Sequence, residues 1–147
     1  MLFDLCSIFI MEYSNVTSRR GVETETPMVV VADRYLDNLK IISFVLDYLN
    51  VKYCLAEDGK AALDLINDKL PNLALLDVEM PYINGIEVNL IIKNNLFTKH
   101  IQTLATTELV NRECITAISN FKFDDYIIKP FSIEDLENKL KHLLKIN

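Results

Sequence analysis

Three charged side chains stand at the ends of three short apolar runs, and their types suit phosphoryl and metal chemistry. Met28-Val-Val-Val-Ala32 runs into Asp33, Leu73-Ala-Leu-Leu76 runs into Asp77, and Asp125-Tyr-Ile-Ile128 runs into Lys129 and Pro130. A short apolar run closed by a polar residue or proline reads as a strand that stops at a sheet edge. In open α/β sheets, ligands sit just beyond the carboxyl ends of the strands. Two carboxylates and an ammonium gathered there would serve a hard cation and an anionic phosphoryl group.

The elements that must position these groups alternate along the chain. Strand-like runs fall at Met28–Ala32, Val51–Leu55, Leu73–Leu76, Ile101–Ala105 and Tyr126–Ile128. Helix-length amphipathic segments separate them. Leu36, Leu39, Ile42, Leu46 and Leu49 share one face of the first, and Ala62, Leu65 and Ile66 line the second. Val88, Ile91 and Ile92 mark the third, and Val110, Cys114 and Ile118 the fourth. The last opens on Ser132-Ile-Glu-Asp135, a capping-box variant, and presents Ile133, Leu136, Leu140 and Leu143. Five strands alternating with five helices predict a parallel sheet covered on both faces.

Bulk properties exclude several function classes. A chain of 147 residues, half of them hydrophobic, fits one domain with a real core. Its formal charge of −6 argues against a direct nucleic-acid binder, which needs a basic footprint. No apolar run reaches the length of a membrane span. Cys6, Cys54 and Cys114 lie far apart, suggesting neither a disulfide framework nor a zinc site, and pointing to a reduced, cytoplasmic setting. His100 and His142 lack ligand partners at metal spacing. Asn84-Gly85 reads as a turn in which Gly85 takes a positive φ, and Asp124 and Asp125 as a solvated turn.

Residues 1–27 differ from the rest. Met1 to Met11 is apolar but carries Asp4 and lacks the basic start of a signal peptide, and residues 14–27 are polar. They read as a flexible leader, with a small helix at Met1 to Met11. Translation from Met11 or Met28, or a docking segment, are the alternatives.

From about Met28 to Leu144 the chain resembles a response-regulator receiver domain of the chemotaxis-regulator type, the phosphoacceptor half of bacterial two-component signalling. The motifs that carry the resemblance are Leu75-Leu-Asp77-Val-Glu-Met-Pro81-Tyr-Ile-Asn-Gly85, Glu57-Asp-Gly-Lys-Ala-Ala-Leu63 and Asp124-Asp-Tyr-Ile-Ile-Lys-Pro-Phe131. It implies the flavodoxin-like doubly wound fold, (βα)5, with strand order 2-1-3-4-5. It also implies that Asp77 takes a phosphoryl group from a phosphohistidine, on a histidine kinase or a histidine phosphotransfer protein. Asp33, Asp77 and the Glu79 backbone carbonyl match the protein ligands of Mg2+. Lys129 matches the lysine that pairs with the acceptor and then with the phosphoryl oxygens, and the Lys129–Pro130 bond is expected to be cis. Thr106 matches the hydroxyl that turns to a phosphoryl oxygen, and Tyr126 the aromatic that follows it inward. Thr107 matches a small position beside the phosphate. A downstream protein partner would read the face of the fourth helix, fifth strand and fifth helix. A monomer and a homodimer both fit the sequence.

Ala32 departs from the pattern, since receivers end the first strand on two acids. Two unit charges about 5 Å apart at an effective dielectric near 20 interact by roughly 3 kcal/mol, and a divalent ion doubles this. Even a net loss of about 1.4 kcal/mol costs tenfold in binding. Mg2+ should therefore bind weakly, unless the Glu79 side chain holds a metal-bound water instead. Three classes follow: a phosphorylatable single-domain switch that is not a classical enzyme, a degenerate receiver serving as a phosphorylation-independent interaction module, and an aspartyl-phosphate phosphatase. The third puts its nucleophile on the first strand and another Asp two residues on, where this chain has Asp77 on the third strand and Glu79. A flavin site lacks a phosphate-cradling loop after the first strand.

Overall fold

A computed structural model of the chain describes residues 25–108 and 111–147. Five parallel strands form one sheet in the order β2-β1-β3-β4-β5, as the resemblance implied. They are β1 (Met28–Ala32), β2 (Lys52–Ala56), β3 (Leu73–Asp77), β4 (Gln102–Thr107) and β5 (Asp125–Ile128). The helices between and after them are α1 (Leu36–Tyr48), α2 (Gly59–Lys69), α3 (Gly85–Asn94), α4 (Arg112–Asn120) and α5 (Ile133–Leu144). Among the described residues, no helix is long and apolar enough to cross a membrane. The predicted Met1–Met11 helix and the Val110 position lie outside the described residues.

The sheet divides the core by strand alternation. Val29, Val31, Leu73 and Leu75 face one side, where α1 and α5 bring Leu39, Ile42, Leu46, Leu136 and Leu140. Val30, Ala32, Ala74 and Leu76 face the other, against Ala62, Ile66, Val88 and Ile92 of α2 and α3. β3 is central and buried along its whole length, so its sequence is a continuous apolar run rather than an alternating one. Each such buried aliphatic side chain contributes about 1.5–3 kcal/mol.

Several faces shift from the sequence reading. Leu36 and Ile133 are each the first residue of their helix and stand about half exposed. Val45 fills the α1 core instead. On α3 the buried stripe is Gly85, Val88, Asn89 and Ile92, a regular i, i+3, i+4, i+7 pattern that leaves Ile91 outside. Cys114 is a free, half-buried thiol.

Local chemistry fixes the loops at the carboxyl edge. Asn84 caps α3 through Glu87 N at 2.9 Å, and the Glu87 carboxylate returns to Asn84 N at 2.9 Å, a closed capping box. The positive φ falls on Tyr82 (66°), and not on Gly85. Gly85 is required for another reason: a Cβ there would collide with the backbone carbonyl of Asp77. The Lys129–Pro130 bond is cis.

Asp124 is not a solvated turn residue. Its Oδ2 accepts from Thr103 N (2.7 Å), Thr103 Oγ1 (3.2 Å) and Lys93 Nζ (2.7 Å), so it braces β4 and α3 just before β5 begins. Asp125 pairs with Lys139 at 2.7 Å. Asp124→Ala strips the buried Thr103 of these bonds and should cost about 1–3 kcal/mol, read as a lower urea midpoint at unchanged slope.

Candidate functional site

The strand register brings the predicted residues together. Ala32, Leu76, Ala105 and Tyr126 are successive Cα partners across the sheet, as are Asp77, Thr106 and Ile127 one step on. The charged groups at the ends of β1, β3 and β5 therefore converge over one edge. Lys129 reaches back from β5, and its Nζ lies 2.6 Å from Asp33 Oδ2 and 3.4 Å from Asp77 Oδ1. The ammonium is nearer to Asp33 than to Asp77, the partner expected for it. All three side chains are at least nine-tenths buried.

The two carboxylates are treated unequally. Asp33 is saturated: Oδ1 accepts from Tyr35 N (2.8 Å) and Asn38 Nδ2 (3.1 Å), and Oδ2 from Asn38 Nδ2 (3.0 Å) and Lys129. Asp77 receives only Glu79 N at 3.3 Å and the longer Lys129 contact, both on Oδ1. Its Oδ2 is buried without a hydrogen-bond partner. Burial pushes the Asp77 carboxyl up to about 6, with Lys129 pulling it down and Asp33 adding to the rise.

A second unsatisfied atom lies on the neighbouring strand. Thr106 Oγ1 is buried with no partner, at the register position opposite Asp77. Thr107, also buried, faces α4, where its Oγ1 lies 3.7 Å from Cys114 Sγ. Tyr126 is half-buried against the cluster of Val78, Ala105 and Ile118, with Lys139 Nζ 5.9 Å from its ring centroid. The Glu79 side chain leaves the acid pair and binds Arg34 at 2.9 Å.

Residues 29–141 match the family model of the response regulator receiver domain. This chain belongs to that family. It is 33% identical over 121 residues to the response regulator ArlR of Staphylococcus epidermidis, covering 82% of this chain and 53% of that protein. The chain spans about half the length of the curated relatives it matches. Among solved structures, a receiver domain of a Francisella response regulator is 30% identical with a TM-score of 0.73, over 82% of this chain and 98% of that one. The chemotaxis regulator CheY4 of Vibrio cholerae shares the fold, with a TM-score of 0.76 at 21% identity, over 81% of this chain and 99% of that one.

Receivers in general bind Mg2+ at their phosphorylation site. In this receiver the donor types fit a hard cation: Asp33, Asp77 and the Glu79 carbonyl would offer it oxygen donors, and the orphaned Asp77 Oδ2 has no hydrogen-bond partner to displace. The fit is partial. Asp33 is already saturated, the Glu79 carboxylate is committed to Arg34, and Ala32 is fully buried where an acid is expected. Among the described residues no group of three His, Cys, Asp or Glu side chains forms a metal cluster.

Asn38 and Arg34 were not singled out by sequence. Asn38, in the first turn of α1 and five residues past Asp33, spans both oxygens of that carboxylate. An amide at that spacing from a strand-end acid is the signal that would have found it. Arg34 could be found only by knowing that Glu79 stands opposite.

The Asp77 carboxyl is harder to ionise folded than unfolded, so its ionisation costs stability. The cost is absent below about pH 4, where both states hold the proton, and complete above about pH 6. A shift of this size is worth on the order of 3 kcal/mol. Asp77→Asn should therefore raise unfolding free energy at pH 8 by about 1–3 kcal/mol, with the gain fading by pH 4 in urea titrations.

Proposed function

We propose that this receiver accepts a phosphoryl group on Asp77 from a histidine kinase or histidine phosphotransfer protein in the cytoplasm. Residues 28–147 are the receiver unit of the switch and residues 1–27 its leader. The observation that carries the reading is the pair of unsatisfied buried atoms, Asp77 Oδ2 and Thr106 Oγ1, at one register position. The first is an acceptor with no donor and the second a hydroxyl with no partner, and one tetrahedral anion bonded to the first would satisfy the second. Each unpaired group costs about 1–3 kcal/mol, which the phosphorylated form recovers.

Asp77 Oδ2 is the nucleophile, with a lone pair available because no donor occupies it, and kept basic by burial. Lys129 holds Asp77 Oδ1 and moves toward the incoming oxygens, leaving Asp33 with its Tyr35 and Asn38 donors. A compact ammonium on a flexible stem suits that transfer. Mg2+, held by Asp33, Asp77 and the Glu79 carbonyl, would neutralise charge on the phosphoryl group. Thr106 turns to a phosphoryl oxygen, vacating volume that Tyr126 occupies. The α4-β5-α5 face then changes for a downstream protein partner, as a population shift of states already present. A second reading, a phosphorylation-independent interaction module, is favoured by Ala32 and by the saturation of Asp33.

Incubation with acetyl phosphate and Mg2+, read by intact mass, should add one phosphoryl group that is lost in Asp77→Asn. Uptake should climb through pH 6 as the carboxylate forms. No gain even at high Mg2+ favours the module. Thr106→Ala should keep uptake within about threefold and abolish the phosphorylation-dependent shift of Tyr126 ring signals in NMR spectra; an intact shift removes Thr106 from the switch.

A further inference from the structure

The mouth of the site holds a cation that the phosphoacceptor reading does not use. Arg34 Nη2 donates to Glu79 Oε2 at 2.9 Å, and the guanidinium lies over the Tyr35 ring, 4.7 Å from its centroid. Both members of the ion pair keep 35% side-chain exposure, so the pair is neither buried nor free. Arg34 directly follows Asp33, and Glu79 is the residue whose N–H donates to Asp77 Oδ1. The pair therefore links the ends of β1 and β3 beside the two buried carboxylates. A guanidinium presents a planar fork of donors that matches phosphoryl oxygens bidentately.

We infer that Arg34 is a tethered counter-cation of the acceptor site. It rests on Glu79 in the unphosphorylated protein, opposes a divalent ion there, and moves to the phosphoryl oxygens once Asp77 is loaded. The last step rests on the phosphoacceptor reading; the opposition to a divalent ion does not. Ionised Asp33, Asp77 and Glu79 against Lys129 and Arg34 leave the cluster at a net charge of −1. An acid in place of Ala32 and a neutral residue in place of Arg34 would make it −3. Both changes lower the pull on a divalent ion, and Arg34 also occupies Glu79, the acid best placed to hold a metal-bound water.

In the transfer, the Asp77 Oδ2 lone pair forms the new O–P bond as the donor's P–N bond breaks. The electron pair leaves on the donor nitrogen, which takes a proton from solvent. The transferred group brings about one net negative charge, so the acyl phosphate carries about two where the carboxylate carried one. Lys129 meets that charge from within and Arg34 from the mouth, while Glu79, already about a third exposed, is released to water at little cost. The site thus carries part of its own charge compensation.

The test uses the full chain in two arms. Calorimetric titration with Mg2+, without phosphodonor, compares wild type with Arg34→Ala, Arg34→Lys and Glu79→Gln. Arg34→Ala should bind Mg2+ about tenfold tighter, from removing one positive charge near a divalent ion and freeing Glu79. Arg34→Lys should stay near wild type and Glu79→Gln should bind more weakly than Arg34→Ala. Unchanged or weaker Mg2+ affinity in Arg34→Ala overturns the opposition. In the second arm, phosphoramidate is supplied with EDTA and uptake is read by mass. Wild type should retain measurable uptake, and Arg34→Ala should lose about tenfold of it. Equal uptake in the two overturns the move to the phosphoryl group, as does complete loss in wild type when Mg2+ restores it. No uptake by wild type under any Mg2+ concentration overturns the phosphoacceptor reading itself, and the calorimetric arm still decides the opposition.

Discussion

One buried ammonium holds the carboxyl edge of the sheet together. Lys129 comes from the end of β5, and the acids it touches end β1 and β3, with β4 lying between β3 and β5. Taking each of these ions out of water costs several kcal/mol, and the mutual attraction offsets this only where the remaining lone pairs are also satisfied. At Asp33 they are, through the Tyr35 amide and the Asn38 side chain. At Asp77 they are not. The same cation thus makes one carboxylate inert and leaves the other with unspent basicity, and that inequality separates an anchor from a nucleophile.

The inequality depends on geometry supplied by apolar packing. Asp77 is buried because β3 is covered on both faces, and it keeps one unpaired oxygen because the donor from the following loop, Glu79 N, goes to Oδ1 rather than Oδ2. Gly85 lets α3 start against the Asp77 carbonyl, and the Asn84–Glu87 capping box fixes that start. The brace from Asp124 to Thr103 and Lys93 fixes β4 beside it, so Thr106 faces Asp77 at a fixed register.

Much of this was legible in the chain itself. The alternation of runs and amphipathic segments was enough for the element order, and the motifs for the sheet order and the convergence of Asp33, Asp77, Thr106 and Lys129. What stayed hidden depends on partners far apart in sequence. Nothing local says that Asp124 braces Thr103, that Arg34 meets Glu79 across two strand ends, or that Lys129 favours Asp33 over Asp77. Helix faces were misread at the helix starts Leu36 and Ile133, because periodicity carries direction but not how far along the helix the buried stripe begins. Gly85 was assigned a conformational role and has a steric one.

The raised carboxyl of Asp77 also couples the fold to its solvent as a proton sink. Between about pH 4 and pH 6 the unfolded chain holds this side chain largely ionised and the folded chain largely protonated. Folding in that window draws a fraction of a proton from the buffer. The heat of the transition therefore includes the ionisation heat of whatever buffer supplies it, so its measured enthalpy belongs to the protein and its medium jointly.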